Sequence, residues 1–161
     1  MSLKVCANNR QRGASLVELV ATITLLGILA VSVLPRFTSR GGFVEYALKD
    51  QIAGLYLAAQ QRAMFDHSGT CYSLDITATG ASIEKDGVLL NAGSQVAFTG
   101  DYAGLGVTNI TLYFDALGNV LTGGSDCSSA SAPATALSLS VSGDATASLT
   151  IYPTGYVARN L

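Results

Sequence analysis

From Ala14 to Leu34 the chain reads ASLVELVATITLLGILAVSVL, a continuous apolar run with one charge, Glu18. As a helix it would be roughly 31 Å long, the thickness of a bilayer's hydrocarbon core. The run is too long for a secretory h-region, and no small-residue cleavage site follows it within reach. A buried core helix is the competing explanation of the same residues. Pro35 then removes a backbone donor and crowds the carbonyl of Val31, so the helix is expected to weaken or kink there. Gly41-Gly42 adds a second soft point, at about 1 kcal/mol per Gly relative to Ala. Beyond it the period becomes that of an amphipathic helix. Val44, Leu48, Ile52, Leu55, Ala59 and Ala63 follow steps of three and four, with Glu45, Lys49, Asp50, Gln60, Gln61 and Arg62 mostly off that stripe. The spacing predicts a helix to about Phe65, stopped by Asp66-His67-Ser68-Gly69.

After Gly69 the pattern shortens to strands. Thr70–Thr79, Gly87–Asn91, Gln95–Thr99, Thr108–Phe114 and Asn119–Leu121 are runs separated by Gly, Asp and Asn. Leu137, Leu139 and Val141 alternate with small polar residues, as do Ala147, Leu149 and Ile151, and Ser142-Gly143-Asp144 between them predicts a hairpin turn. Pro153-Thr154-Gly155 predicts another turn before Tyr156-Val157. Residues 123–136, with Ser125, Ser128 and Ser131, form a low-complexity loop expected at the surface. The fold class predicted is therefore α+β, a long N-terminal helix packed on an antiparallel β-sheet head. Its segments are 1–13, a basic leader; 14–34, an apolar helix; 35–66, its amphipathic continuation; and 67–161, a β-rich head.

Composition sharpens this picture. Charged residues make up only 12% of the 161 residues against 49% hydrophobic, which excludes a charged disordered chain, a coiled coil and a basic nucleic-acid binder. The charge is unevenly placed. Lys4, Arg10 and Arg12 lie in the first thirteen residues, where there is no acid; residues 14–161 carry six bases against eleven acids, a formal −5. A basic flank before an apolar span favours a cytoplasmic N-terminus, a bias that Arg36 and Arg40 beyond the span weaken. Glu18 near the cytoplasmic end is tolerable in a bilayer, but a charge there calls for a partner.

The stretch Arg12-Gly13-Ala14-Ser15-Leu16-Val17-Glu18-Leu19 resembles the class III signal of type IV pilins and type II secretion pseudopilins. The resemblance implies that a prepilin peptidase cuts between Gly13 and Ala14 on the cytoplasmic face, and that Ala14 is then N-methylated. Glu18 becomes the fifth mature residue, in the place of the family's Glu. Ala14 departs from the Phe usual after the cut. The continuation LLGILAVSVLPRF is most like pilins of the mannose-sensitive haemagglutinin (MSHA) type, and family pilins have a Pro at the place of Pro35. The implied partners are other pilin subunits through the N-terminal helix, the prepilin peptidase and an inner-membrane assembly platform, with no nucleic acid. The implied location is a single pass of the inner membrane, head periplasmic, and then a surface pilus used for attachment. Physics makes sense of the motif: the freed α-amino group of Ala14 lies one helical turn from Glu18, whose carboxylate can neutralise that of an adjacent subunit. An ordinary signal anchor, with Glu18 merely near the headgroups, is the competing explanation.

With the leader removed, Cys6 leaves and Cys71 and Cys127 remain in an exported head. An even count in an oxidising compartment points to a disulfide, worth roughly 4 kcal/mol by loop closure; two separate buried thiols are the alternative. Little supports catalysis. His67 is the only histidine, which defeats metal hydrolysis and most Ser/His/Asp arrangements. Asp115, Asp126 and Asp144 could meet at calcium only if their loops converged, and otherwise are solvated turn acids. No cofactor loop is present, so no enzyme and no cofactor are expected. The assignments in contention are a minor pilin, a minor pseudopilin of a type II secretion system, and a membrane-anchored binding domain.

Overall fold

The computed structural model describes residues 15–38 and 42–159, with side chains at 15–29 and 42–159. Gly13, Ala14 and Cys6 lie outside the described residues, as does the side chain of Pro35. The chain forms two compact units that divide after residue 39.

The first unit holds α1 (Leu16–Thr38). Its described side chains are all exposed, Leu16, Leu19, Ile23 and Leu26 among them. The hydroxyls of Thr22 and Thr24 donate back to the carbonyls of Leu19 and of Val20 and Ala21. These polar groups are thereby satisfied within the helix, as an apolar surrounding requires. Among the described residues no helix is long and apolar enough to cross a membrane, and the described side chains of α1 stop at residue 29, inside the 14–34 run.

The second unit is built on α2 (Phe43–Phe65), which begins after Gly42 in a left-handed conformation, φ 89°. Ten strands follow in two antiparallel sheets. The larger joins β1 (Tyr72–Ile76), β2 (Gly80–Lys85), β3 (Val88–Leu89), β4 (Gln95–Ala97), β6 (Ile110–Phe114) and β7 (Val120–Leu121), in the order β3-β2-β1-β6-β7 with β4 also on β2. The smaller joins β5 (Gly106–Val107), β8 (Leu137–Ser142), β9 (Thr146–Ile151) and β10 (Val157–Arg159), in the order β10-β9-β8-β5. The α+β class holds. The Thr70–Thr79 run holds one strand, β1, but the predicted runs omit β5 and also β2, which follows β1 as the second arm of a hairpin. Its turn lacks the usual Gly, Asn or Pro at its centre. Thr77 closes it instead, its Oγ1 donating to the Gly80 carbonyl while its N–H does the same, and threonine is the weakest of the turn-forming side chains.

α2 packs on strands of both sheets. Leu48, Ile52, Tyr56, Ala59 and Ala63 are buried against Leu74, Ile83, Leu112, Leu149 and Ile151. Each large aliphatic side chain so buried contributes about 1.5–3 kcal/mol. The Tyr56 hydroxyl donates to the Gly155 carbonyl at 3.0 Å, and Gln60 Nε2 donates to the carbonyls of Gly118 and Gly155. These bonds draw two turns onto one helix. Burial raises the pKa of the Tyr56 hydroxyl far above its ordinary value.

Glu45 and Lys49 depart from the periodicity, which places them off the apolar stripe: both are 2% exposed. Glu45 sits in the first turn, and its Oε1 accepts the Ala145 N–H at 3.0 Å from the β8–β9 hairpin tip, while Oε2 is buried without a hydrogen-bond partner. The Ala145 N–H, with Glu45's own backbone N–H adding to the pull, holds this carboxyl below the ordinary carboxylate range, and burial only partly offsets them. Lys49 lays its Nζ 4.9 Å from the Tyr46 ring centre, so its stem is buried while its charge meets an aromatic face.

The other end of α2 is tied by Asp66. Its carboxylate accepts from the hydroxyl and N–H of Ser68, from the hydroxyls of Thr70 and Tyr72, and from Lys85 Nζ at 3.0 Å. Ser68 first, then Lys85 and Tyr72, hold it well below the ordinary carboxylate range. A carboxylate with a depressed folded-state pKa favours the fold above the ordinary value of about 4, and that contribution fades as pH falls below it. Asp66→Asn should therefore melt at a lower temperature than the parent at about pH 7, and the gap should narrow progressively as pH falls below about 4. Thermal melts of both chains across this range measure it; a gap that stays constant would exclude this role for the charge.

Candidate functional site

The sequence motif and the disulfide loop are the two places where function-bearing residues gather, and they belong to different units. In the first, Ser15 precedes the helix and its carbonyl accepts the Leu19 N–H at 3.1 Å, so the helical ladder begins at once. Glu18 lies in the first turn of α1, exposed. A carboxylate there is favoured by the aligned N–H groups of the helix start. Its neighbours Val17, Leu19 and Val20 are apolar and exposed, and Glu18 is the one charged residue among the described side chains of α1.

In the second unit Cys71 and Cys127 form a disulfide, their Cα atoms 5.6 Å apart. The Cys127 N–H also donates to Cys71 Sγ at 3.1 Å. Cys71 directly precedes β1, and its N–H donates to Asp86 Oδ1 at 2.7 Å across the β2–β3 turn. The Ser-rich loop is thus fastened to the larger sheet at one point. Within the loop, Asp126 Oδ1 accepts from the N–H groups of Ser128 and Ser129 and from the Ser129 hydroxyl. These bonds hold the Asp126 carboxyl below its ordinary pKa, those from Ser129 most strongly.

The remaining candidates have local duties. His67 is exposed, with Nδ1 3.0 Å from the Phe65 carbonyl. Asp115 holds its own turn, accepting from the N–H groups of Leu117 and Asn119 and from the Asn119 side chain. Asp115 and Asp126 line one groove beside the disulfide, whereas Asp144 lies by Glu45 at the hairpin tip. Among the described residues no group of three His, Cys, Asp or Glu is arranged to hold a metal ion. Two residues of consequence are not singled out by the sequence pattern, Glu45 and Ser73, while Asp66 stands in the predicted helix stop without its bonding role being legible. Glu45 alone had a local signal, a Glu three residues past the helix-opening Gly42.

The family model for the prokaryotic N-terminal methylation motif matches residues 8–34. This supports the likeness to type IV pilins and pseudopilins carried by Arg12–Leu19, and the motif implies processing by a prepilin peptidase and assembly with other pilins. It is the motif of structural subunits rather than of enzymes. No curated protein and no solved structure matches the chain.

The disulfide generates a test of the head. The Cys71→Ser, Cys127→Ser double variant should lose about 2–4 kcal/mol of stability. Urea unfolding of the full chain, with and without reductant, measures it, and the parent should fall to the variant's midpoint only when reduced. Equal midpoints for oxidised parent and variant would show that the bond is without stabilising effect.

Proposed function

We propose that this chain is a minor pilin of the MSHA type, a structural subunit of a surface filament used for attachment. Residues 1–13 are its leader, cut after Gly13. Residues 14–34 are the span and filament-core helix, with the N-terminus cytoplasmic before assembly. Residues 35–66 continue the helix beyond a kink at Pro35, and 67–161 form the head. The observation that carries this reading is the methylation motif over residues 8–34, with Glu18 in the first turn of α1.

Two features of the fold support it. The described side chains of α1 are largely apolar and all exposed, so that within its own unit the helix presents an uncovered apolar surface. The outward face of α2 also carries Phe43, Tyr46, Leu57, Met64 and Phe65. A helix apolar on all sides belongs in an assembly or a membrane. In such a bundle the Glu18 carboxylate neutralises the α-amino group of a neighbouring subunit's first residue.

A substitution separates assembly from membrane residence. Glu18→Val makes the span more apolar, so insertion should be equal or better. Loss of a neighbour's charge partner in a poorly solvated bundle costs about 3–5 kcal/mol. The variant should be cut to begin at Ala14 and held in the membrane at parental levels, yet be depleted from sheared filaments. Mass spectrometry of membrane and filament fractions reads both outcomes. Equal incorporation would remove the proposed role of Glu18, and finding Arg10 in the filament-associated form would remove the cut. Retention of the processed parent in the cell envelope, with none in surface filaments, would favour a secretion pseudopilin instead.

A further inference from the structure

The face of the larger sheet turned away from α2 carries an unusual row. Antiparallel register sets Ser73 of β1 opposite Glu84 of β2 on one side and opposite Tyr113 of β6 on the other. Side chains in such a row share one face and stand about 5 Å apart. Over them lies the disulfide-fastened loop with Ser125 and Asp126. Between loop and sheet is a cavity of about 270 Å³, lined also by Cys71, Asp86 and Gly87.

Ser73 is only 3% exposed and Tyr113 only 8%, but neither hydroxyl makes a hydrogen bond among the described residues, and the Glu84 carboxylate has no hydrogen-bond or ionic partner there. Both residues line the cavity, so their hydroxyls keep hydrogen-bonding capacity open toward it. No basic side chain lines the cavity. The one nearby in sequence, Lys85, points to the other face and is held by Asp66. The negative potential is felt by its members: burial and then Asp75 raise the pKa of Glu84, and burial followed by Asp126, Asp75 and Glu84 raises that of Tyr113.

We infer that this cavity is a binding site for an alkylammonium group, with Glu84 as its counter-ion, the Ser73 and Tyr113 hydroxyls as acceptors and the Tyr113 ring against the alkyl stem. An ammonium brings three N–H donors to three separated oxygens, and a cation is attracted to an aromatic face. A divalent metal fits the row poorly. Calcium needs six to eight oxygens at about 2.3–2.6 Å, and among the described residues no group of three His, Cys, Asp or Glu is arranged to hold a metal ion. The volume lies just below the range of about 300–1,000 Å³ typical of whole small-molecule ligands. It suits one lysine side chain of a partner protein or one short free amine, which share this chemistry.

The test uses the full-length, disulfide-intact, 15N-labelled chain in detergent micelles. It is titrated separately with n-butylammonium, Nα-acetyl-lysine amide, 1-butanol and calcium chloride. Both amines should produce saturable shifts at the Ser73, Glu84 and Tyr113 amides, and 1-butanol none. Glu84→Gln should weaken amine binding at least about tenfold while the rest of the spectrum is unchanged. Asp50→Asn, a control on the exposed side of α2, should not. Tighter binding of the lysine amide identifies a protein side chain as the ligand, and tighter binding of butylammonium a free amine. Either upholds the site. No saturable shift with either amine, equal shifts with 1-butanol, unchanged affinity in Glu84→Gln, or saturation by calcium alone would each overturn it.

Discussion

The head depends on one helix face being covered by two sheets that share no strand pairing. Leu48, Ile52, Tyr56, Ala59 and Ala63 of α2 form that face, and both sheets lie against it. The run from Tyr56 onward is Tyr-x-x-Ala-x-x-x-Ala, one large ring followed by small residues. Tyr56 meets the Phe114 ring edge-on at 5.1 Å and reaches the Gly155 carbonyl. Close approach is required there: a Cβ on Gly155, whose φ is +81°, would collide with the Gly118 carbonyl and Gln60. The Val120 N–H then donates to the Pro153 carbonyl at 3.1 Å, joining the larger sheet to the β9–β10 turn. Without the helix face, the two sheets would have little reason to stay together.

Apolar packing sets how the helix lies against the sheets but leaves its position along its own axis free. Two carboxylates supply that at its ends. Glu45 grips the β8–β9 hairpin of the smaller sheet, and Asp66 gathers Tyr72 and Lys85 of the larger one. The pairs differ in setting. Glu45 is buried and spends one oxygen on a backbone N–H. Asp66 is half-buried and shared among hydroxyls, an N–H and an ammonium, so its contribution is divided among many weak bonds. Directional bonds of this kind act over short distances, and so they specify register where the hydrophobic effect cannot.

These constraints leave the molecule with two unlike kinds of surface. One kind is apolar and uncovered, occurring separately on α1 and on the outward face of α2 of the second unit, and fits burial in an assembly. The other is acidic and carries the disulfide-fastened loop. If the chain is the structural subunit proposed above, the first serves contact with like subunits and the second remains available to other molecules.

A good part of this is legible in the amino-acid sequence alone. The methylation motif across the apolar run and the end of the second helix at Phe65 follow from local rules: hydrophobic length, motif spacing and a stop cluster. The alternation of β8 and β9 and the turn between them are likewise period-two patterns around Ser142-Gly143-Asp144. Cys71 and Cys127 can be paired by counting, because they are the two cysteines that follow the methylation motif. The tertiary structure decides the rest. Glu45 and Lys49 look like surface residues because a helical period reports polarity rather than the presence of a hairpin or a ring overhead. β2 is hidden because its turn is closed by threonine and its end is charged. The Glu84–Ser73–Tyr113 row joins residues up to forty positions apart, and it exists only because antiparallel register brings three strands side by side. Local sequence carries propensity and period; which residues face one another is fixed by non-local pairing, and that is where the acidic cavity is made.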